Sequence, residues 1–315
     1  MKNHSSILFC GDINVDLIFG GLVKSVQIDK EVLADRYSIS MGSSVVISAA
    51  TYVSLGGSAA VSGLRGSDDN GRYMAENMNS LGINCSFVQV SSELQTGITL
   101  NLIEGTTRSQ VTYPGTIREY EGPDLSIDYS DYNHVHFSGI YQQDSFRPNL
   151  LKTVKHMKSK GLKVSLDTQW DADENWELLD ELYPHLDYLF VNEDEALSIS
   201  RSNTMDEALE YFKKCSVLTL LKQGEKGALF IRGDEIIKIP SFAVNVVDTT
   251  GAGDTFAAAF FYALYNLGKN LKRSCFFASA AAARSCMFVG GIAARSSFYD
   301  VEKILTEKYE IRIVK

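Results

Sequence analysis

The sequence predicts an α/β protein built on a mostly parallel sheet covered on both faces, and three observations lead to that class. From residue 134 to 221, short apolar runs alternate with helical patterns: HVHFSG at 134–139, a helix over 145–160, LKVSLD at 162–167, YLFVN at 188–192, a helix over 204–214 and VLTLL at 217–221. Several of these runs end on a polar residue, the pattern of strands whose carboxyl ends carry chemistry. Two further segments, Ser44–Leu55 and 272–288, are helical patterns rich in small residues, which suits close packing.

Taken in order, ILFCG at 7–11 is a short apolar strand ending in Gly. If the chain stays extended beyond it, Asp12, Asn14 and Asp16 share one face, because residues two apart do. Ser44–Leu55 stops at Gly56–Gly57, and a second helix, Gly71–Leu81, stops at Gly82. Between residues 83 and 120 the runs CSFVQV, GITLNLI and SQVTY are separated by Gly, Ser and Glu without a helical pattern. They predict a small antiparallel sheet, shared with segment 17–40. GALFI and EIIKI, split by RGD, read as a hairpin. Phe256, Phe260, Ala263, Leu264 and Leu267 mark one face of a helix over 255–267. With no repeat of 20–50 residues, the chain reads as one domain over 1–315 with a small β excursion.

Composition narrows the function. At 315 residues, 45% apolar and 22% charged, the chain can bury a core without disulfides or structural metal. A net charge of −9 and a pI near 5.1 disfavour a nucleic-acid surface or a polybasic membrane patch. The longest apolar stretch, near Phe256–Leu264, is too short to span a bilayer, and the apolar run near the N-terminus is too short for a secretory segment. Five cysteines with no CxxC read as buried thiols in a reducing compartment, so the expected location is the cytoplasm.

The segment VVDTTGAGDTFAAAFFYAL, 246–264, carries the chemistry. Small residues let the backbone approach a ligand, and the first turn of the following helix offers unpaired N–H groups to phosphate oxygens. A carboxylate at the mouth of an anion cradle would repel a phosphate it merely bound. Asp254 makes sense if it faces an alcohol and accepts its proton while the oxygen attacks phosphorus. The same residues would also serve as a tight turn and a plain N-cap.

Asp248-Thr249-Thr250-Gly251-Ala252-Gly253-Asp254 resembles the late signature of the ribokinase-like, or PfkB-type, carbohydrate kinases. Gly42-Ser43-Ser44-Val45-Val46-Ile47-Ser48-Ala49 running to Leu55-Gly56 is similar to the early signature. Gly66-Ser67-Asp68-Asp69-Asn70-Gly71, His136-Phe137-Ser138-Gly139, Asn192-Glu193-Asp194-Glu195 and Gly224-Glu225-Lys226-Gly227-Ala228 extend the likeness over essentially the whole chain. The resemblance implies a ribokinase-like three-layer fold with a small β lid from about 17–40 and 83–120. It implies transfer of the γ-phosphoryl group of ATP to a hydroxyl of a small sugar or sugar acid of the fructose, ribose or 2-keto-3-deoxygluconate type.

By that resemblance Asp254 is the base, and the amides of Gly251, Ala252 and Gly253 stabilise the transferring group. Asn14, Asp16, Gly42, Ser43 and Ile47 belong to the acceptor site. Asn192, Glu195, Lys222, Gly224, Gly227, Thr249, Gly251 and Gly253 belong to the nucleotide site, with Glu195 organising Mg2+ partly through water. A lid is physically sensible because water would compete with the acceptor alcohol. The resemblance also admits a monovalent cation such as K+ and a homodimer through the lid. A nucleoside kinase, or a non-catalytic sugar or nucleotide sensor on the same fold, are the alternatives.

Two positions depart from the family pattern. Ser43 replaces a glycine, and Ile47 replaces an asparagine that would hold the sugar, so either the acceptor is less polar at that edge or another residue supplies the contact. Other signals are discounted. Asp12, Asn14 and Asp16 imitate the start of a calcium loop, but Leu17 and Val23 stand where its Gly and Glu belong. His134 and His136 share a strand face without a third ligand near in spacing. Trp170 and Trp176 read as ordinary aromatic packing. Neither a Walker loop nor GxGxxG is present.

Overall fold

The structure, a computed structural model, describes residues 5–105, 107–292 and 295–309. Within these residues the strands are β1 Ser6–Cys10, β2 Asn14–Gly20, β3 Arg36–Met41, β4 Ser58–Gly66, β5 Asn84–Ser91, β6 Gly97–Glu104, β7 Thr107–Tyr113, β8 His134–Ser138, β9 Lys163–Asp167, β10 Tyr188–Asn192, β11 Leu218–Lys222, β12 Ala228–Arg232 and β13 Glu235–Ile239. Nine form one sheet in the order β13-β12-β11-β10-β9-β8-β1-β4-β5. From β11 to β5 every pairing is parallel, and the β12–β13 hairpin closes one edge antiparallel.

Successive side chains of β1 feed opposite cores. Ile7 and Phe9 pack with Tyr52, Phe190, Phe260 and Phe261 on one side, Leu8 and Cys10 with Phe137, Leu166 and Leu189 on the other. Burial on both faces is what a covered parallel sheet requires. Its two buried histidines are paired: Ser165 Oγ lies 2.7 Å from both His134 Nε2 and His136 Nδ1, and His134 Nδ1 lies 2.9 Å from Tyr265 Oη. The chain runs outward from β1 to β4 and β5, then returns to β8 and proceeds the other way. The reversal opens a crevice at the carboxyl ends of β1 and β8, where ligands bind in such sheets.

The smaller sheet runs β3-β2-β6-β7. It differs from the expected antiparallel sheet in two respects. β2 and β6 are parallel, and Asn84–Ser91, predicted to belong with the small sheet, pairs parallel with β4 at the edge of the large one. The Asp69–Ser80 helix is the crossover that returns the chain to run beside β4, and a parallel pair needs such a crossover. Pleating gives the small sheet two unlike faces. Register places Asn14, Asp16, Ser40, Thr99, Asn101 and Thr112 on one, and Leu17, Phe19, Ile39, Leu100, Leu102 and Val111 on the other.

The Ser44–Leu55 helix stands as predicted, closed by Gly56 in the left-handed conformation. The helix expected over 255–267 is α-helical over Ala252–Phe261 and widens to a π turn at Tyr262–Asn266, and the next one spans Leu271–Ser285. In segment 145–160 a 3-10 turn at Arg147–Asn149 around Pro148 precedes the helix Leu150–Ser159, since proline fits only the first helical turn. Strand β4 and the helices Glu193–Ser200 and Phe298–Tyr309 were not marked by sequence pattern.

Candidate active site

The anion loop is held from outside the helix it starts. Asp248 Oδ1 accepts from Thr250 N at 2.9 Å and Thr250 Oγ1 at 2.7 Å, while Oδ2 accepts from Gly290 N at 2.8 Å. Gly251 caps the Ala252–Phe261 helix at φ 74°. A Cβ there would lie 2.9 Å from Gly291 Cα and 3.0 Å from Ile47 Cγ2, so backbone conformation and space both call for glycine. Ala252 N donates to Thr249 O and Thr255 N to Gly251 O. The amides of Gly253 and Asp254 have no partner among the described residues, which leaves two aligned donors at a helix N-terminus.

Asp254 follows those donors and is 8% exposed. Gln169 Nε2 donates to its Oδ1 at 3.4 Å, and the nearby Ser44 side chain favours the charged form of the carboxylate. Burial, then the charge of Asp167, pushes its pKa up to about 8 against the pull of Lys222. Lys222 Nζ donates to Asp167 Oδ2 at 2.7 Å and sits 3.1 Å from where a Cβ of Gly253 would be. Burial alone would lower the pKa of Lys222, but the carboxylates of Asp167 and Glu195 hold it above its ordinary value.

Across the crevice, Asn14 Nδ2 donates to Asp16 Oδ1 at 3.2 Å and to Thr99 Oγ1 at 3.1 Å. Gly42 lies against both side chains: a Cβ would come within 2.4 Å of Asp16 Oδ1 and 2.5 Å of Asn14 Nδ2. Ser43 adopts φ 76°, unusual for a residue with a Cβ. Its hydroxyl donates to Asp12 O at 2.6 Å and accepts from Val46 N at 3.1 Å, capping the Ser44–Leu55 helix. The Ile47 side chain, 4% exposed, packs on the backbone of Gly251 and Gly291. Asp12 joins the site: burial raises its pKa to about 7, and its charge acts on Asp254.

Asn192 caps the Glu193–Ser200 helix in a reciprocal box with Glu195. Glu195 N donates to Asn192 Oδ1 at 2.8 Å, Asn192 N to Glu195 Oε2 at 2.9 Å, and Asn192 Nδ2 to Glu195 Oε1 at 2.6 Å. Thr168 Oγ1 adds a bond to Glu195 Oε2 at 3.2 Å. Burial pushes the Glu195 carboxyl up. Gly224 and Gly227 shape the turn after Lys222; at Gly227 a Cβ would meet Ile239 O at 2.0 Å. Lys226 and Gln223 tie that turn to Glu193 at 3.0 Å each. Thr249 is exposed, contributing its carbonyl to the loop.

Asp167, Gln169, Ser44 and Thr168 were not singled out from the sequence. Their one signal was place: Asp167 ends a predicted strand on the same side as the other polar strand ends. Asp167 Oδ1 is buried without a partner, and Glu195 offers hard oxygen close to it in charge. No group of three or more acidic, His or Cys side chains among the described residues is arranged to hold a metal. One or two carboxylates with water and phosphate supplying the rest suits Mg2+, so these residues fit that ion.

Comparisons with known proteins bear on the family and the fold. Residues 46–296 match the model of the family described as pfkB family carbohydrate kinase. The chain is similar to a ribokinase of Arabidopsis thaliana, 30% identical over 70% of this chain and 60% of that protein. It is 25% identical to a ribokinase of Bacillus subtilis over 96% of this chain and 99% of the relative. Its fold superposes on a crystal structure of a ribokinase from Thermotoga maritima with TM-score 0.81 at 24% identity, covering 96% of this chain and all of that one.

Proposed function

The chain belongs to the pfkB family of carbohydrate kinases, and on that premise we propose that it transfers the γ-phosphoryl group of ATP to a hydroxyl of a small sugar or sugar acid. The observation that carries this reading is the placement of Asp254. A buried carboxylate stands beside two open helix-terminal amides and an ammonium, within reach of the charges of Asp167 and Asp12.

In this reading Asn14 and Asp16 hold acceptor hydroxyls, with Gly42 leaving room for both side chains. Asp254 accepts the proton of the attacking hydroxyl, and the amides of Gly253 and Asp254 meet the charge of the transferring group. Asp167 and Glu195 would hold Mg2+, Glu195 through water. When bound, that ion neutralises phosphate charge. The small sheet serves as a lid, its polar face toward the acceptor.

The test is ADP formation with fructose, ribose, 2-keto-3-deoxygluconate and a nucleoside. At least one acceptor should raise turnover far above the acceptor-free rate; ADP release indifferent to every acceptor would defeat the reading. The same panel assigns Ile47. Because its side chain supports Gly251 and Gly291, Ile47→Asn should lower kcat/KM for all acceptors alike, by roughly 10-fold, through an unmatched buried amide. A changed ranking of acceptors would instead return Ile47 to the acceptor pocket.

We further propose a homodimer through the outer face of the lid. Tyr37, Ile39, Val111 and Tyr113 are exposed there beside Leu17 and Leu100, an apolar surface that a second copy would cover. The chain of 34.8 kDa should sediment at twice that mass, and Ile39→Lys with Val111→Lys should halve it. A monomeric wild type would reject this pairing.

A further inference from the structure

We propose that Lys222 is a catalytic residue, a cation built into the chain that touches the transferring phosphoryl group, and that Asp167 is the positioning residue that aims it. The proposal rests on the kinase reading above and gives that site a charge that belongs to the protein.

Three observations converge. Lys222 ends β11 and Asp167 ends β9, so their 2.7 Å ion pair reaches across the carboxyl end of β10, the strand between them. The side chains are 15% and 1% exposed. Burying two charges is a poor way to stabilise a fold compared with apolar packing, so a pair in this position points to use. Next, Nζ lies 3.1 Å from the Cβ position of Gly253, whose amide is one of the two open donors of the anion loop. Glycine at 253 therefore keeps clear the space where ammonium and amides meet. Last, an ammonium has three N–H donors. One goes to Asp167, and no other hydrogen bond of Lys222 Nζ is found among the described residues.

A phosphoryl group entering this space meets a cation and two N–H groups already oriented, which is where preorganised charge acts most strongly. In the step, the acceptor oxygen forms a bond to phosphorus and its proton passes to the Asp254 carboxylate. The bond from that phosphorus to the oxygen of departing ADP breaks, and its electron pair leaves with ADP. Lys222 keeps its proton throughout and acts only as charge.

The experiment compares Lys222→Met, Lys222→Arg, Asp167→Asn and the double variant K222M/D167N, which does not strand a charged Asp167 beside the lost ammonium. Two quantities are read: kcat with Mg2+, and calorimetric binding of ATP in EDTA, where no metal ion shares the load. K222M and the double variant should lose roughly 10²–10³ in kcat and bind metal-free ATP at least about 10-fold more weakly. K222R should recover about 10-fold of the kcat lost in K222M, since it restores charge in a different shape.

D167N keeps the ammonium but frees it. Its kcat should fall at least about 10-fold, a loss that includes any weaker hold on Mg2+ through Oδ1, while metal-free ATP binding stays within about threefold, a split that simple loss of packing would not give. A folded double variant with kcat and metal-free ATP binding within about twofold of wild type overturns the proposal. If K222M and the double variant do not fold, unchanged kcat and binding in K222R overturn it instead. Failure of the kinase reading would look different, since the wild type itself would then give no acceptor-dependent ADP.

Discussion

Asp254→Asn is expected to lower kcat by roughly 10²–10⁴ while making the folded protein more resistant to heat at neutral pH. Both effects have one cause. The carboxyl group is buried beside Asp167, and its pKa stands at about 8 against an ordinary 3.8. An acid whose pKa is higher in the folded state costs stability as pH rises above the unfolded value, and the full cost is reached above the folded one. The loss therefore begins near pH 4 and is complete above about pH 8, amounting to as much as several kcal/mol.

Asparagine keeps the size and a hydrogen-bonding oxygen but carries no charge, so the penalty vanishes together with the proton acceptor. Melting curves of D254N and wild type should converge near pH 4 and separate as pH approaches 8. For the same reason wild-type kcat/KM should climb about 10-fold per pH unit toward a plateau near pH 8. Near-normal turnover in folded D254N would remove Asp254 from the chemistry.

Gly42→Ala is the second large effect, and it should fall on function while sparing the fold. The added methyl would stand 2.4 Å from Asp16 Oδ1 and 2.5 Å from Asn14 Nδ2. Both are tips of side chains, which can swing away, so the backbone need not move. The pair that faces the acceptor must then shift by about 1 Å, and such a misplacement costs on the order of 10²-fold in kcat/KM. Acceptor-free ATP hydrolysis and thermal stability should change little. An unaltered kcat/KM for the best acceptor would show that neither Asn14 nor Asp16 touches it.

The sequence foretold the parallel sheet because strands buried on both faces must be apolar, and the runs at 134–139, 162–167, 188–192 and 217–221 are. It foretold the tight turn before Asp254 because only small residues let a backbone make that turn. It could not tell that Asn84–Ser91 joins the large sheet, since a short β run carries no mark of its partner, and the crossover before it decides the pairing. Nor could it show where Ser43 and Ile47 point. A departure from a family pattern looks like a change of specificity, yet the Ser43 hydroxyl is spent on Asp12 O and Val46 N, and Ile47 lies against Gly251 and Gly291.

By itself, then, the sequence determined the fold class, the small-residue turn and the carboxylate that follows it, because each depends on residues adjacent in the chain. Tertiary structure alone decided the electrostatics. Asp167 and Lys222 are 55 residues apart, and Gln169 and Asp254 are 85 apart. They meet only because β9 and β11 end on the same side of one sheet, where the Ala252–Phe261 helix also begins. A pKa or the aim of an ammonium is a property of that meeting, and no residue carries it alone.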